Sequence, residues 1–211
     1  MNMSIKATVV ACGVLAAVSA PLPVAAETNV FSGKDAFGSI SGSSAEGNLY
    51  ANVYFFESST KSKSNKTESS GAYFSGGYFT GSECWYGSGF ADNIQFTAAG
   101  GPIPKQVTAS GAILVTWFEY CSSYSEFTET VNFVANLTAI KDQTSHNWGT
   151  NHYEYGNVKV NSNFNYSYSP ATVSAASITS PAFGTVTPNW GSVGKSKGHT
   201  VDIMKSLTPQ P

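Results

Sequence analysis

The chain has 211 residues, a formal net charge of −2 and only 11% charged side chains, and all eleven of its positive side chains are lysines. With no basic excess, and no guanidinium for bidentate contacts to phosphate or guanine, nucleic-acid binding is excluded as its main activity. Wetting of the surface falls to Ser, Thr, Asn, Gly and Tyr instead.

Residues 1–26 carry one early positive charge at Lys6, an apolar run from Ala7 to about Ala20, and small residues ahead of Glu27. This pattern reads as a secretory signal, and Val24 and Ala26 occupy the minus-three and minus-one places for cleavage after Ala26. The apolar run is shorter than the roughly 20 residues of a comfortable membrane-spanning helix. Export follows as the expectation, to a secreted or periplasmic location without a helical membrane anchor. The string VVACG around Cys12 looks like a lipoprotein cleavage box, but the apolar run continues past it, which argues against lipid attachment there. What remains is long enough for one substantial core.

Residues 27–47 are rich in Gly and Ser and read as a leader or an edge segment. From residue 48 onward the texture changes to a β-sandwich domain, taken as residues 48–211. NLYANVYFFES places Leu49, Ala51, Val53 and Phe55 on one face and Tyr50, Asn52, Tyr54 and Phe56 on the other, the period of a strand. STKSKSNKTESSG then reads as a polar loop with a small lysine cluster at 61, 63 and 66. AYFSGGYFT resumes as a strand whose glycines point to a bulge or to close approach of another backbone. FADNIQFT is a shorter candidate, and AAGGPIP breaks the pattern because its prolines cannot donate ladder hydrogen bonds.

The two best-patterned strands follow. QVTASGAILVTWFEYC puts Val107, Ala109, Ile113, Val115 and Trp117 on one face, and EFTETVNFVANLTAI does the same for Phe127, Val131, Phe133, Ala135 and Leu137. Both apolar faces fall on odd numbers, so an antiparallel hairpin must pair odd with odd. Further on, NVKVNSNFNYSYS alternates up to an interruption at Pro170, ATVSAASIT follows, and the tail offers one or two short strands. No helix start or stop signal stands out after residue 27. The expected fold is all-β: an antiparallel β-sandwich in a single domain, with a closed β-barrel as the alternative. Cys84 and Cys121 are the only cysteines beyond the signal, and an isolated pair in an exported chain predicts a disulfide.

Three constellations are candidates for function. Setting Val115 opposite Phe133 and Trp117 opposite Val131 also sets Glu119 opposite Glu129 on the buried side. Two facing carboxylates repel unless a proton or a cation such as calcium intervenes, and such a pair is also the equipment of glycoside hydrolysis. The second is SHNWGTNHYEYGN, residues 145–157, in which His146, His152 and Glu154 carry donors for zinc or copper, whereas the plain reading is a polar loop. The third is aromatic content, at 13% of the chain. In the same loop-like stretch Trp148, Tyr153 and Tyr155 would stack on a sugar ring while Asn147 and Asn151 hydrogen-bond its hydroxyls. Tyr50, Tyr54 and Phe56 share one strand face that is either buried or presented outward as a strip.

Other strings carry no chemistry. The GKS of VGKSKG lacks the preceding glycine and the following helix of a phosphate loop, and no G-x-S-x-G elbow is present. The leading reading is therefore an exported, non-catalytic β-sandwich that binds carbohydrate, a cell-surface polymer or another protein, without a bound cofactor. The alternatives are a secreted glycan hydrolase using Glu119 and Glu129, and a small outer-membrane β-barrel, against which the chain's end in LTPQP, lacking a terminal aromatic, already counts.

Overall fold

A computed structural model describes residues 27–204, apart from 64, 102, 123 and 157; the expected signal, 1–26, lies outside them. The strands are β1 (Glu27–Ser43), β2 (Leu49–Ser62), β3 (Asn65–Phe79), β4 (Cys84–Asp92), β5 (Gln95–Ala99) and β6 (Gln106–Glu119). They continue with β7 (Glu126–Ala139), β8 (Ser145–Tyr155), β9 (Val158–Ser180), β10 (Gly184–Val186) and β11 (Trp190–Met204), and a single 3-10 turn at Lys141–Gln143 separates β7 from β8. All ladders are antiparallel and belong to one sheet, consistent with the expected all-β sandwich.

The order of pairing runs β9-β11-β1-β2-β3-β4-β6. Because β7 bonds to β6 on one side and to β9 on the other, this path returns to β9. The sheet is folded over so that β1, β2 and β3 face β5, β6 and β7 across a shared core, and the two layers are joined by ladders at their flanks. Odd-numbered side chains of β6 and β7 point inward as the alternation dictates, with Ile113, Val115, Trp117, Val131 and Leu137 fully buried. Across the layers Phe55 stacks on Phe133 at 5.8 Å and the Phe74 ring meets Trp117 edge-on at 5.6 Å. Inward glycines make room for these rings: a Cβ on Gly87 would lie 2.6 Å from the Trp117 indole, and one on Gly38 would lie 2.5 Å from Phe55.

Several expectations are corrected here. Residues 27–43 are not a leader or an edge but a 17-residue strand paired on both sides, with β2 and with β11. The polar run after residue 57 is not a loop, because the β2–β3 ladder continues to Ser62↔Asn65 and turns only there. Pro170 does not interrupt its strand either. It falls where β7 has ended at Ala139↔Ala171 and β8 has not begun, at Ser145↔Tyr168, so no ladder partner asks it for an N–H on that side. The glycines of AYFSGGYFT form no bulge with β2 or β4; the register through them is unbroken.

Cys84 and Cys121 form a disulfide with a Cα–Cα distance of 5.5 Å, tying the start of β4 to the chain just past β6. Closing a loop of 37 residues in sequence separation stabilises the fold by about 4 kcal/mol on the chain-entropy account.

Candidate functional site

The outward faces of β9, β11, β1, β2, β3 and β4 carry a run of rings that touch in series. Tyr168 meets Tyr166 at 5.7 Å, Tyr166 stacks on Phe37 at 5.2 Å and 9° between planes, and Phe37 stacks on Tyr54 at 5.8 Å. The series continues from Tyr54 to Phe56 at 6.1 Å, Phe56 to Tyr73 at 6.5 Å and Tyr73 to Phe90 at 4.5 Å. With strands about 4.8 Å apart, six adjacent strands make a ribbon about 24 Å long.

Glycines decide how these rings lie. Gly194 is the cross-strand partner of Phe37, and a Cβ there would sit 2.2 Å from the Phe37 ring. A Cβ on Gly71 would sit 3.0 Å from both Phe56 and Phe90. Phe37, Phe56 and Phe90 thus occupy space that any larger residue would fill, and their tips reach across the neighbouring strand. Phe37 is only 3% exposed beneath its neighbours, whereas Tyr54, Tyr73, Phe90, Tyr166 and Tyr168 keep surface open to solvent.

Polar rails flank the ribbon. On one side Asp35 accepts 2.6 Å hydrogen bonds from the hydroxyls of Ser58 and Ser196. On the other, Ser41, Asn52, Ser75 and Ser88 are successive cross-strand partners. Burial against its neighbours pushes the Tyr54 phenol well above its ordinary value of 10.0, with Tyr166 and Asp35 adding to the effect. Tyr166 is raised as well, by burial first and then by Tyr168. Both therefore remain protonated donors across the neutral range.

The stretch 145–157 is strand β8 up to Tyr155, not a loop, and it pairs with the first half of β9. Alternation splits the expected stacking set. Asn147, Asn151, Tyr153 and Tyr155 point one way, and Trp148 the other. Asn147 is the cross-strand partner of Tyr166 and so lies at the end of the ribbon. Tyr153 and Tyr155 sit opposite Val160 and Val158, further along the strand and away from it. Trp148, 81% exposed, lies on the concave side.

The metal donors are separated too. His146 and His152 lie six residues apart on one strand, about 20 Å, too far to share an ion. His146 Nδ1 is 2.7 Å from the Ser167 hydroxyl, His152 Nδ1 is 2.7 Å from Asn161 Oδ1, and Glu154 pairs with Lys159 at 3.6 Å. Among the described residues Glu119 clusters with Cys84 and Cys121, but those sulfurs are already joined to each other.

The expected face-to-face carboxylates do not form. Val115 pairs with Glu129 and Trp117 with Phe127, which is four residues out of the expected register while still odd with odd. Glu119, buried, accepts hydrogen bonds from the backbone N–H groups of Cys121, Ser122 and Tyr124 and so closes the β6–β7 turn. Glu129 accepts from Trp117 Nε1 at 2.9 Å, from the Ser180 hydroxyl, and from the Ala182 N–H at 2.9 Å. Each carboxylate is thus spent on local structure. The ribbon went unrecognised in the sequence beyond Tyr54 and Phe56, because its members come from five strands and its key contact joins residues 37 and 194.

No known family model matches this chain, and neither a curated protein nor a solved structure matches it significantly.

Proposed function

We propose that this protein is an exported, non-catalytic glycan-binding module whose binding surface is the outer ribbon centred on Tyr54 and Tyr73. The observation that carries this reading is the unbroken series of ring contacts from Tyr168 to Phe90 between hydroxyl-bearing rails, with Tyr54, Tyr73, Phe90, Tyr166 and Tyr168 open to solvent. A sugar ring offers C–H surface to an aromatic face and hydroxyls to polar neighbours, and this face supplies both side by side. Export is supported by the signal-like N-terminus and by the disulfide, which persists in oxidising compartments.

Against the outer-membrane alternative stands the polarity of the sheet. In the core half its inward side chains are the apolar ones, and the outward rows of β6 and β7 are largely Thr, Ser and Asn, the reverse of a lipid-facing barrel. The hydrolase alternative has lost its facing carboxylates.

Affinity electrophoresis through gels containing neutral polysaccharides tests the proposal. Retardation by at least one glucan, mannan or xylan is expected, with about a tenfold loss of affinity in the Tyr54→Ala, Tyr73→Ala double variant. Absence of retardation by every glycan, or equal retardation of the variant, would overturn it.

A further inference from the structure

Beyond the core, β8, β9, β11, β1, β2 and β3 continue as a six-stranded extension whose inner face borders a cavity of about 490 Å3. Two rows of cross-strand partners run along it, and all their members except His146 and Trp148 border the cavity. Nearer the core the row runs His146, Ser167, Lys195, Ala36, Glu57, and beyond it the next runs Trp148, Asn165, Lys197, Lys34, Ser59, Glu68. Opposite, Ala98 closes the cavity and the Gly101 carbonyl accepts a 2.9 Å hydrogen bond from Lys195 Nζ, so the β5–β6 connection reaches across to β11.

The charge distribution on this face is uneven. Lys34, Lys61, Lys66, Lys195 and Lys197, five of the chain's eleven lysines, project from it on four adjacent strands, against Glu57 and Glu68 on the same face, and Asp35 also borders the cavity. Lys34 and Lys197 are directly opposite each other, an arrangement that disfavours the ladder when nothing of opposite sign lies between them. Glu68 is engaged by Lys66, and among the described residues neither Lys34 nor Lys197 has an ion-pair or hydrogen-bond partner.

We infer that this cleft is a second binding site, for a carboxylate-bearing saccharide such as a uronic-acid chain. An anionic group seated between Lys34 and Lys197 removes the like-charge opposition, and ammonium groups bind such anions as point charges. Asn165, Ser59 and Ser167 stand beside it for hydroxyls, and the exposed Trp148 indole at the end of the same row supplies a stacking face. The volume falls within the usual range for small-ligand sites. The cleft lies on the opposite side of the sheet from the rings of the aromatic ribbon and uses none of those rings, although Asp35 and Ser196 of the polar rail also border it.

Calorimetric titration of the purified protein with an oligo-galacturonate, with the matching neutral oligo-galactan and with inorganic phosphate tests this. The acidic oligomer should bind, and binding should weaken severalfold as ionic strength rises from about 0.01 M to about 0.15 M, where the screening length falls from about 30 Å to about 8 Å. The Lys34→Gln, Lys197→Gln double variant should lose about tenfold in affinity with an unchanged or higher melting temperature, since removing a like-charge pair leaves the fold intact. The Tyr54→Ala, Tyr73→Ala variant should bind the acidic oligomer as the wild type does, which separates this site from the ribbon. No binding of the acidic oligomer, equal binding of the neutral one at this site, equal binding of phosphate alone, or an unaffected lysine variant would each overturn the assignment.

Discussion

The two layers of the sheet share one core and one alternation, yet their outer faces differ in kind. On the first half of β9 and on β1, β2, β3 and β4 the outward positions hold touching rings, with Gly194 of β11 between them. On β6, β7 and the second half of β9 they hold mostly Thr108, Thr116, Thr128, Thr130, Asn132 and Thr179, with hydroxyl and amide groups facing one another across the ladders and Leu114, Phe118 and Val134 scattered among them. Aromatic supply is not the cause, because both layers send rings into the core. What differs is glycine: β7 and β9 contain none and Gly111 of β6 faces the core, whereas Gly71 and Gly194 lie where outward rings need room. A ring face on a sheet therefore takes two ingredients, the ring and an empty place on the next strand for it to lie in.

Substitutions at matched positions test that contrast most strongly. Phe37→Ala removes a ring buried under its neighbours and should cost about 3 to 5 kcal/mol, whereas Thr130→Ala on the opposite outer face should stay within about 0.5 kcal/mol, both read from urea melts. Comparable losses would mean that the two faces contribute alike and that the ribbon is not a packed unit. Gly194→Ala tests the second ingredient, since its Cβ meets both the Phe37 ring and the Ser167 carbonyl oxygen, 2.6 Å away. A loss of about 1 to 3 kcal/mol is expected, with a changed near-ultraviolet aromatic signal; an unperturbed spectrum would show that the ring does not need the glycine.

The smallest effect is an alkaline one. The Tyr54 phenol is raised in the folded state above its ordinary 10.0, so above about that pH the unfolded chain releases a proton that the folded chain retains. The associated stability is fully present below pH 10 and declines as pH rises through the folded value. Tyr54→Phe should flatten this decline in melts taken at rising pH, and an identical slope in wild type and variant would assign the alkaline loss to other groups.

The readable and unreadable parts of the sequence divide along burial. Val107 to Trp117 and Phe127 to Leu137 are legible because one face is dry, and hydrophobic alternation reports dryness on one side. The β2–β3 hairpin past residue 57 and strand β8 are wet on both faces, so their ladders are held by backbone pairing that leaves no period in the side chains. The Ser- and Gly-rich β1 reads as a leader for a related reason. Its inward positions include Gly38 and Gly42, small because Phe55 on one side and the Thr187–Pro188 backbone on the other need the space. The hairpin register escaped as well, since every shift by two keeps odd with odd. The turn fixed it instead, through the Glu119 carboxylate on its N–H groups and the anchoring of Cys121. As for the candidate site, Tyr54 and Phe56 were visible on one strand face, but neither the seating of Phe37 on Gly194 nor the opposition of Lys34 and Lys197 leaves a trace in local sequence.

The pairing of β1 with β11 runs the full length of both strands, from Glu27↔Met204 to Ser41↔Trp190. Residues 27 and 204 are thus neighbours across one ladder, at the rim farthest from the core. A short peptide joining them would let the chain be reopened in an exposed turn such as residues 80–83 with every ladder retained, so the order in which these strands follow one another is separable from the shape they build.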